Sequence, residues 1–284
     1  MNTVFVNGEM MDRADAKVDI EDRGYQFGDG IYEVIRVYGG KTFTMREHME
    51  RLYESAQKMK LAIPYSEQEL TDDLLKLVDL NQVKDGIIYL QVTRGVATRQ
   101  HHFPAKEVKG SVVAYTKDFP VPQQQMDQGV TAKLVEDIRW LRCDIKSLNL
   151  LGNLLAKEEA ASEGHFEAIL HRGDTVTEGS SSNAFLVKDG VIYTHPVTNL
   201  ILNGITRRVI KELCRENDLS FQEESFFVED LLEADEMFIA STTSEVMPVI
   251  KVDGHVIGDG KPGVVTKKLQ VLFSERKNGK RAVK

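Results

Sequence analysis

Cysteine is scarce in this chain. Only Cys143 and Cys214 occur in 284 residues, far apart and without ligand-spaced histidines. That excludes a disulfide scaffold and a Cys/His zinc site, and leaves two reduced thiols. The seven histidines form no HExxH pair, so no metal is expected. Long apolar runs are missing, and the start Met1-Asn-Thr-Val-Phe-Val-Asn-Gly8 has no signal-peptide pattern, so neither a membrane span nor export is expected. A positive excess is missing too. Lys and Arg number 36 against 44 Asp and Glu, a net charge of −8 that argues against a nucleic-acid partner. The one basic cluster, the tail Glu275–Lys284, reads as a solvated, frayed end. Solenoid repeats are absent. What is present is 42% hydrophobic and 28% charged, as in a soluble cytoplasmic enzyme, and long enough for two domains.

Thr3-Val-Phe-Val6 and Glu9-Met-Met11 predict a hairpin about Asn7-Gly8. Asp22-Arg-Gly-Tyr-Gln-Phe-Gly-Asp-Gly30 holds three glycines, implying backbone conformations that other residues resist. A GxGxxG pattern from Gly28 fails at Glu33. Ile31–Tyr38 predicts a strand with Tyr32, Val34, Arg36 and Tyr38 on one face. Glu33, among aliphatics on the other, is either a sheet-edge charge or a group facing a polar cavity. An amphipathic helix is expected from about Arg46 to Leu61, with Arg51 beside its apolar stripe. A second is capped by Ser66-Glu-Gln-Glu69. The loop Arg94–Pro104 collects Arg99, His101 and other donors suited to a carboxylate, or to plain solvent. Asp118-Phe-Pro-Val-Pro-Gln-Gln-Gln125 is the best linker. The expected division is therefore 1–118, a linker 119–125, and 126–284.

In the second part, Lys146 lies between the strand Gly129–Val135 and the helix Asn153–Ala161, a placement that suits a lysine presented into a cleft and equally a surface lysine. Glu178 precedes Gly179 and three serines after a hairpin at Gly173-Asp174. Gly204 leads into a helix whose start, with Thr206 near the cap, is able to hold phosphate.

These stretches together resemble the class-IV aminotransferases, the fold-type-IV enzymes that use pyridoxal phosphate, and among them the bacterial D-amino-acid aminotransferases. The similarity covers nearly the whole chain. It is carried by Glu21–Glu33, Arg46–Leu52, Arg139–Asn149, Thr177–Asn183, Gly204–Arg207 and Ser241–Glu245, six motifs in order. The resemblance implies a two-domain α/β (α+β type) fold, an N-terminal α/β sandwich and a C-terminal pseudo-barrel with helices, the active site between them. It implies that Lys146 forms a Schiff base with pyridoxal 5'-phosphate and moves the substrate's proton. Glu178 would keep the pyridine nitrogen protonated. Arg51, Ile205, Thr206 and Thr242 would hold the phosphate end, Ser241 would also bind the cofactor, and Ser180, Ser181 and Ser182 would lie beside the ring. Tyr32, Arg99 and His101 would trap the substrate carboxylate, the last two from the partner of a homodimer. The implied reaction moves an amino group from a D-alanine-like donor to 2-oxoglutarate, giving pyruvate and D-glutamate. The alternatives are an L-branched-chain aminotransferase, an aminodeoxychorismate lyase, or a cofactor-binding protein without turnover.

Overall fold

The computed structural model describes residues 2–279, so the expected frayed tail lies partly outside them. The chain forms two compact units, Met1–Pro120 with Ile145–Asn149, and Val121–Asp144 with Leu150–Lys284. Among the described residues no helix is long and apolar enough to cross a membrane, and no His/Cys/Asp/Glu group could hold a metal ion.

Unit 1 contains β1 (Thr3–Val6), β2 (Glu9–Asp12), α1 (Arg23–Phe27), β3 (Gly30–Tyr38), β4 (Lys41–Thr42), α2 (Met45–Lys58), α3 (Glu67–Leu80), β5 (Gly86–Thr93) and β6 (Val112–Asp118). Its antiparallel sheet runs β2-β1-β6-β5-β3-β4. The period-2 pattern sends Ile31, Glu33, Ile35 and Val37 inward, all with no exposure. Met49 and Leu52 of α2 and Leu70, Leu74 and Leu77 of α3 close the same core. The Ser66/Glu69 capping box starts α3 as expected.

The three glycines around α1 serve two purposes. Only Gly28 is left-handed, with φ 65°, and it ends the helix. At Gly24 and Gly30 the need is space. A Cβ on Gly24 would meet Thr93 Cγ2 at 2.3 Å, and one on Gly30 would meet the Val92 carbonyl oxygen at 2.6 Å.

Unit 2 contains α4 (Gln123–Gln128), β7 (Val130–Glu136), α5 (Leu151–Ser162), β8 (Glu167–Arg172), β9 (Thr175–Gly179), β10 (Asn183–Lys188), β11 (Val191–Tyr193), α6 (Ile205–Glu216), β12 (Phe221–Gln222), a 3-10 turn at Glu229–Glu233, β13 (Glu236–Ser241), β14 (Glu245–Val252), β15 (His255–Val256) and α7 (Val264–Lys277). The polar run read as linker is helical in part, because Gln123–Gln128 continues from Pro122 at the N-cap of α4. The sheet runs β12-β11-β10-β13-β14-β7-β8-β9, with β15 on β14. β9 and β10 are joined by three residues yet lie far apart in that order, and Gly179 N–H bonds the Ser182 carbonyl at 2.7 Å. A sheet so connected has to curl, which is the expected pseudo-barrel.

Candidate active site

Lys146 is attached to unit 1 through its backbone. Tyr32 N–H donates to the Lys146 carbonyl at 3.1 Å, and Leu148 N–H to that of Gly30 at 2.9 Å. Ile145–Asn149, which the linear reading gave to the second domain, is thereby tied to β3. The Lys146 Nζ lies 4.3 Å from the Tyr32 ring centre. On the inward face of β3, Glu33 accepts two bonds from Arg51, at 2.7 and 2.8 Å, and meets His48 Nδ1 at 2.8 Å. The odd charge therefore faces a polar interior, not a sheet edge. Burial alone would raise the Glu33 carboxyl, but the Arg51 charge and then His48 hold it well below the usual range. Burial lowers His48, against the pull of Glu33. β3 and α2 thus fix Arg51 in one orientation. Arg99 and His101 lie on the exposed loop after β5, both against Phe27.

Unit 2 holds Glu178 at the end of β9, with 4% exposure. Its Oε1 accepts from Arg139 at 2.6 Å, and its Oε2 accepts from Asn183 Nδ2 and Leu202 N–H, both at 3.0 Å. A carboxylate offers about four acceptor directions, so one remains for a further donor. Burial pushes Glu178 up to about 7, against Arg139. Asp137 accepts from Arg139, Arg172 and Thr177, fixing Arg139 in turn. The carboxyl is thus held by fixed donors while burial favours its protonated form.

Asn183 links Glu178 to the start of α6. It also donates to the Leu202 carbonyl at 2.8 Å, and a Cβ on Gly204 would meet its Oδ1 at 2.2 Å. No side chain caps α6, and its first turn has no acidic residue. Ile205 and Thr206 are buried there. Such an end is suited to an anion. Ser241 ends β13 and Thr242 begins the turn to β14, where Ser241 Oγ accepts from Ser244 N–H at 3.1 Å. Ser181 and Ser182 donate to Glu167 at 3.0 and 2.9 Å, and Ser180 donates to its other oxygen. Their hydroxyls thus hold Glu167 at the head of β8.

Reasoning from sequence missed Arg139, Asn183 and Glu167 as parts of the site. The first two lay inside motifs without a role. The only signal for Glu167 was a charge heading an apolar strand. Burial also keeps both thiols inert, raising Cys143 to about 11 and Cys214 to about 12.

Relatives carry the same architecture. The family described as amino-transferase class IV matches residues 30–252. The D-alanine aminotransferase of Staphylococcus aureus (strain MSSA476) is 56% identical over 275 residues, 97% of this chain and 98% of that protein. That of Bacillus licheniformis is 53% identical, covering 95% of each. Among solved structures, the branched-chain amino acid aminotransferase of Escherichia coli superposes with a TM-score of 0.94 at 30% identity, over 100% of this chain and 97% of that one. The branched-chain amino acid aminotransferase of Thermobaculum terrenum, solved in its PLP-form, gives 0.88 at 25%, over 99% and 95%. With the match spanning most of the chain and identity above half, this protein belongs to the class-IV aminotransferases.

Proposed function

We propose that this chain is a cytoplasmic, homodimeric D-amino-acid aminotransferase that uses pyridoxal 5'-phosphate. It moves the amino group of a D-alanine-like donor to 2-oxoglutarate, giving pyruvate and D-glutamate. The D-alanine aminotransferase relatives support the donor. Glu178, with one acceptor direction left, and the uncapped buried start of α6 fit a pyridinium N–H and a phosphate. The cofactor, when bound, supplies an electron sink that makes the substrate's Cα–H acidic.

The residues then divide the work. Lys146 would hold the cofactor through Nζ, and its free amine would take the proton from the donor's Cα and, in the second half-cycle, return one to the acceptor's Cα. Glu178, backed by Arg139 and Asn183, keeps the proton on the ring nitrogen. Arg51, oriented by Glu33, and the N–H groups of Ile205 and Thr206 hold the phosphate, with Thr206, Ser241 and Thr242 hydroxyls beside them. Ser180, Ser181 and Ser182, tied to Glu167, shape the ring's surroundings. Tyr32, with Arg99 and His101 of a second copy, binds the α-carboxylate.

The observation that carries the D-reading is the likeness to D-alanine aminotransferases, and the pair Arg99 and His101, both against Phe27 at 4.7 and 5.8 Å, supports it. The Cα–H must point at Lys146 for either enantiomer, so exchanging hands swaps carboxylate and side chain. A carboxylate trap on one side accepts one hand. Unpaired donors in the other case cost about 1–3 kcal/mol per buried group.

A paired assay tests this. D-Alanine with 2-oxoglutarate should yield pyruvate and D-glutamate, and the purified protein should be yellow. Lys146→Ala should lose both the colour and the turnover. Faster turnover of L-leucine than of D-alanine would reject the D-reading for the branched-chain one.

A further inference from the structure

Arg99 and His101 are exposed, yet neither side chain is loose. The Arg99 guanidinium carbon lies over the Phe27 ring at 4.7 Å, and the His101 ring meets the same ring edge-on, at 5.8 Å and 81°. Between them, Gln100 gives its carbonyl to Arg23 Nη1 at 2.7 Å. Arg23 is 3% exposed and lies over Phe27 from its own position at 4.8 Å. Arg23 and Phe27 stand four residues apart on α1, the spacing that puts two side chains on one helix face.

Behind them stands Asp29. It accepts from Arg23 Nε at 2.8 Å and from Arg94 Nε at 3.0 and 2.9 Å. Arg94, at the root of the loop, also donates to the carbonyls of Lys60 and Met59, and its guanidinium covers Phe103 at the loop's other end at 3.7 Å. The backbone adds Arg23 N–H to Gly95 carbonyl at 3.0 Å and Ala97 N–H to Glu21 carbonyl at 3.3 Å. The loop is therefore held at both ends and in its middle.

A guanidinium lying over a ring is held there by cation–π attraction. Its N–H groups lie in the plane and stay available to a carboxylate. Fixing that plane before the ligand arrives removes the ordering cost from binding. We infer that Phe27 is the positioning residue of the carboxylate trap, with Arg23 and Asp29 as its support, and that it sets affinity for the α-carboxylate shared by amino and oxo acids. This rests on the reading of Arg99 and His101 as that trap.

The test is steady-state kinetics of the holoenzyme. Phe27→Leu keeps an apolar side chain but removes the ring. It should raise KM for D-alanine and for 2-oxoglutarate together, by about ten-fold, with kcat and the visible absorption near wild type. Phe27→Tyr keeps the ring and should stay within about three-fold on the same ground. Arg23→Lys keeps the charge but loses the fork that holds Asp29 and Gln100 at once, and should raise both KM values in a soluble protein even where Phe27→Leu does not purify. Unchanged KM in Phe27→Leu or in Arg23→Lys overturns the inference. Equal loss in Phe27→Leu and Phe27→Tyr does too, since packing would then matter and not the ring. Arg99→Ala, run alongside, separates the two readings. If it leaves KM unchanged, the trap itself is misassigned and both fall; if it raises KM while Phe27→Leu does not, only the positioning role falls.

Discussion

Glu178 shows how far one residue's surroundings decide its chemistry. Burial raises its carboxyl to about 7, from an ordinary 4.5, although Arg139 and Leu202 N–H pull the other way. The folded chain thus holds a proton where the unfolded chain has lost it. Stability from this group is fully present below about pH 4.5 and is lost as pH rises through about 7. Wild-type and Glu178→Gln proteins, both freed of cofactor, should therefore differ in the pH dependence of their melting temperatures. The wild type should lose ground to the variant as pH rises through that window, and a bound pyridinium should abolish the loss by favouring the carboxylate. Parallel melting curves for the two cofactor-free proteins would contradict this. The residue was legible in the sequence only through its neighbours, Gly179 and three serines. Its partner Arg139 was not, because 39 positions separate them and no local pattern records an ion pair. Glu167 was hidden for the same reason: its ligands, the hydroxyls of Ser180–Ser182, come from a turn 13 to 15 positions on.

At the scale of elements, β3 and α2 are coupled by one buried constellation. Strand alternation made Glu33 visible as a misfit, and helix periodicity put Arg51 beside the apolar stripe. That the two meet is tertiary information. Glu33 has no exposure and Arg51 5%, so neutralising the carboxylate removes a buried ion pair. Glu33→Gln should lower unfolding stability by about 3–5 kcal/mol, measured by urea titration at neutral pH. On the proposed reading it should also weaken cofactor affinity, because Arg51 loses its orientation. The acid limb carries a sign. Glu33 is held below its ordinary 4.5 by Arg51 and His48 against burial, so its contribution is present above that value and lost as pH falls. The variant should therefore lose stability less steeply below about pH 4.5 than wild type. Equal slopes would mean that Glu33 is not ionised in the native protein. Hairpins and long amphipathic helices were readable by period and turn chemistry. The five-residue α1 and six-residue α4 were not, since so short a segment gives no periodicity.

For the whole molecule, the fold class was legible through the resemblance carried by six ordered motifs. The attachment of Ile145–Asn149 to unit 1 was not, because it depends on backbone bonds to β3 across more than a hundred residues. The same kind of long-range question arises between copies of the chain. On the proposed reading, Lys146 and Tyr32 of one copy work with Arg99 and His101 of the other. Two defective chains should then repair each other. In a mixed dimer of Lys146→Ala and Arg99→Ala, one site carries both defects and the other carries neither. Random reassortment of equal amounts makes half the dimers mixed, so about a quarter of wild-type sites return at low D-alanine. Each variant alone stays impaired under those conditions. Co-refolding or co-expressing the two chains and assaying the purified mixture measures this directly. Activity no greater than the average of the separate variants would mean that lysine and carboxylate trap act within a single copy, and the shared-site dimer would have to be abandoned even if the protein is dimeric.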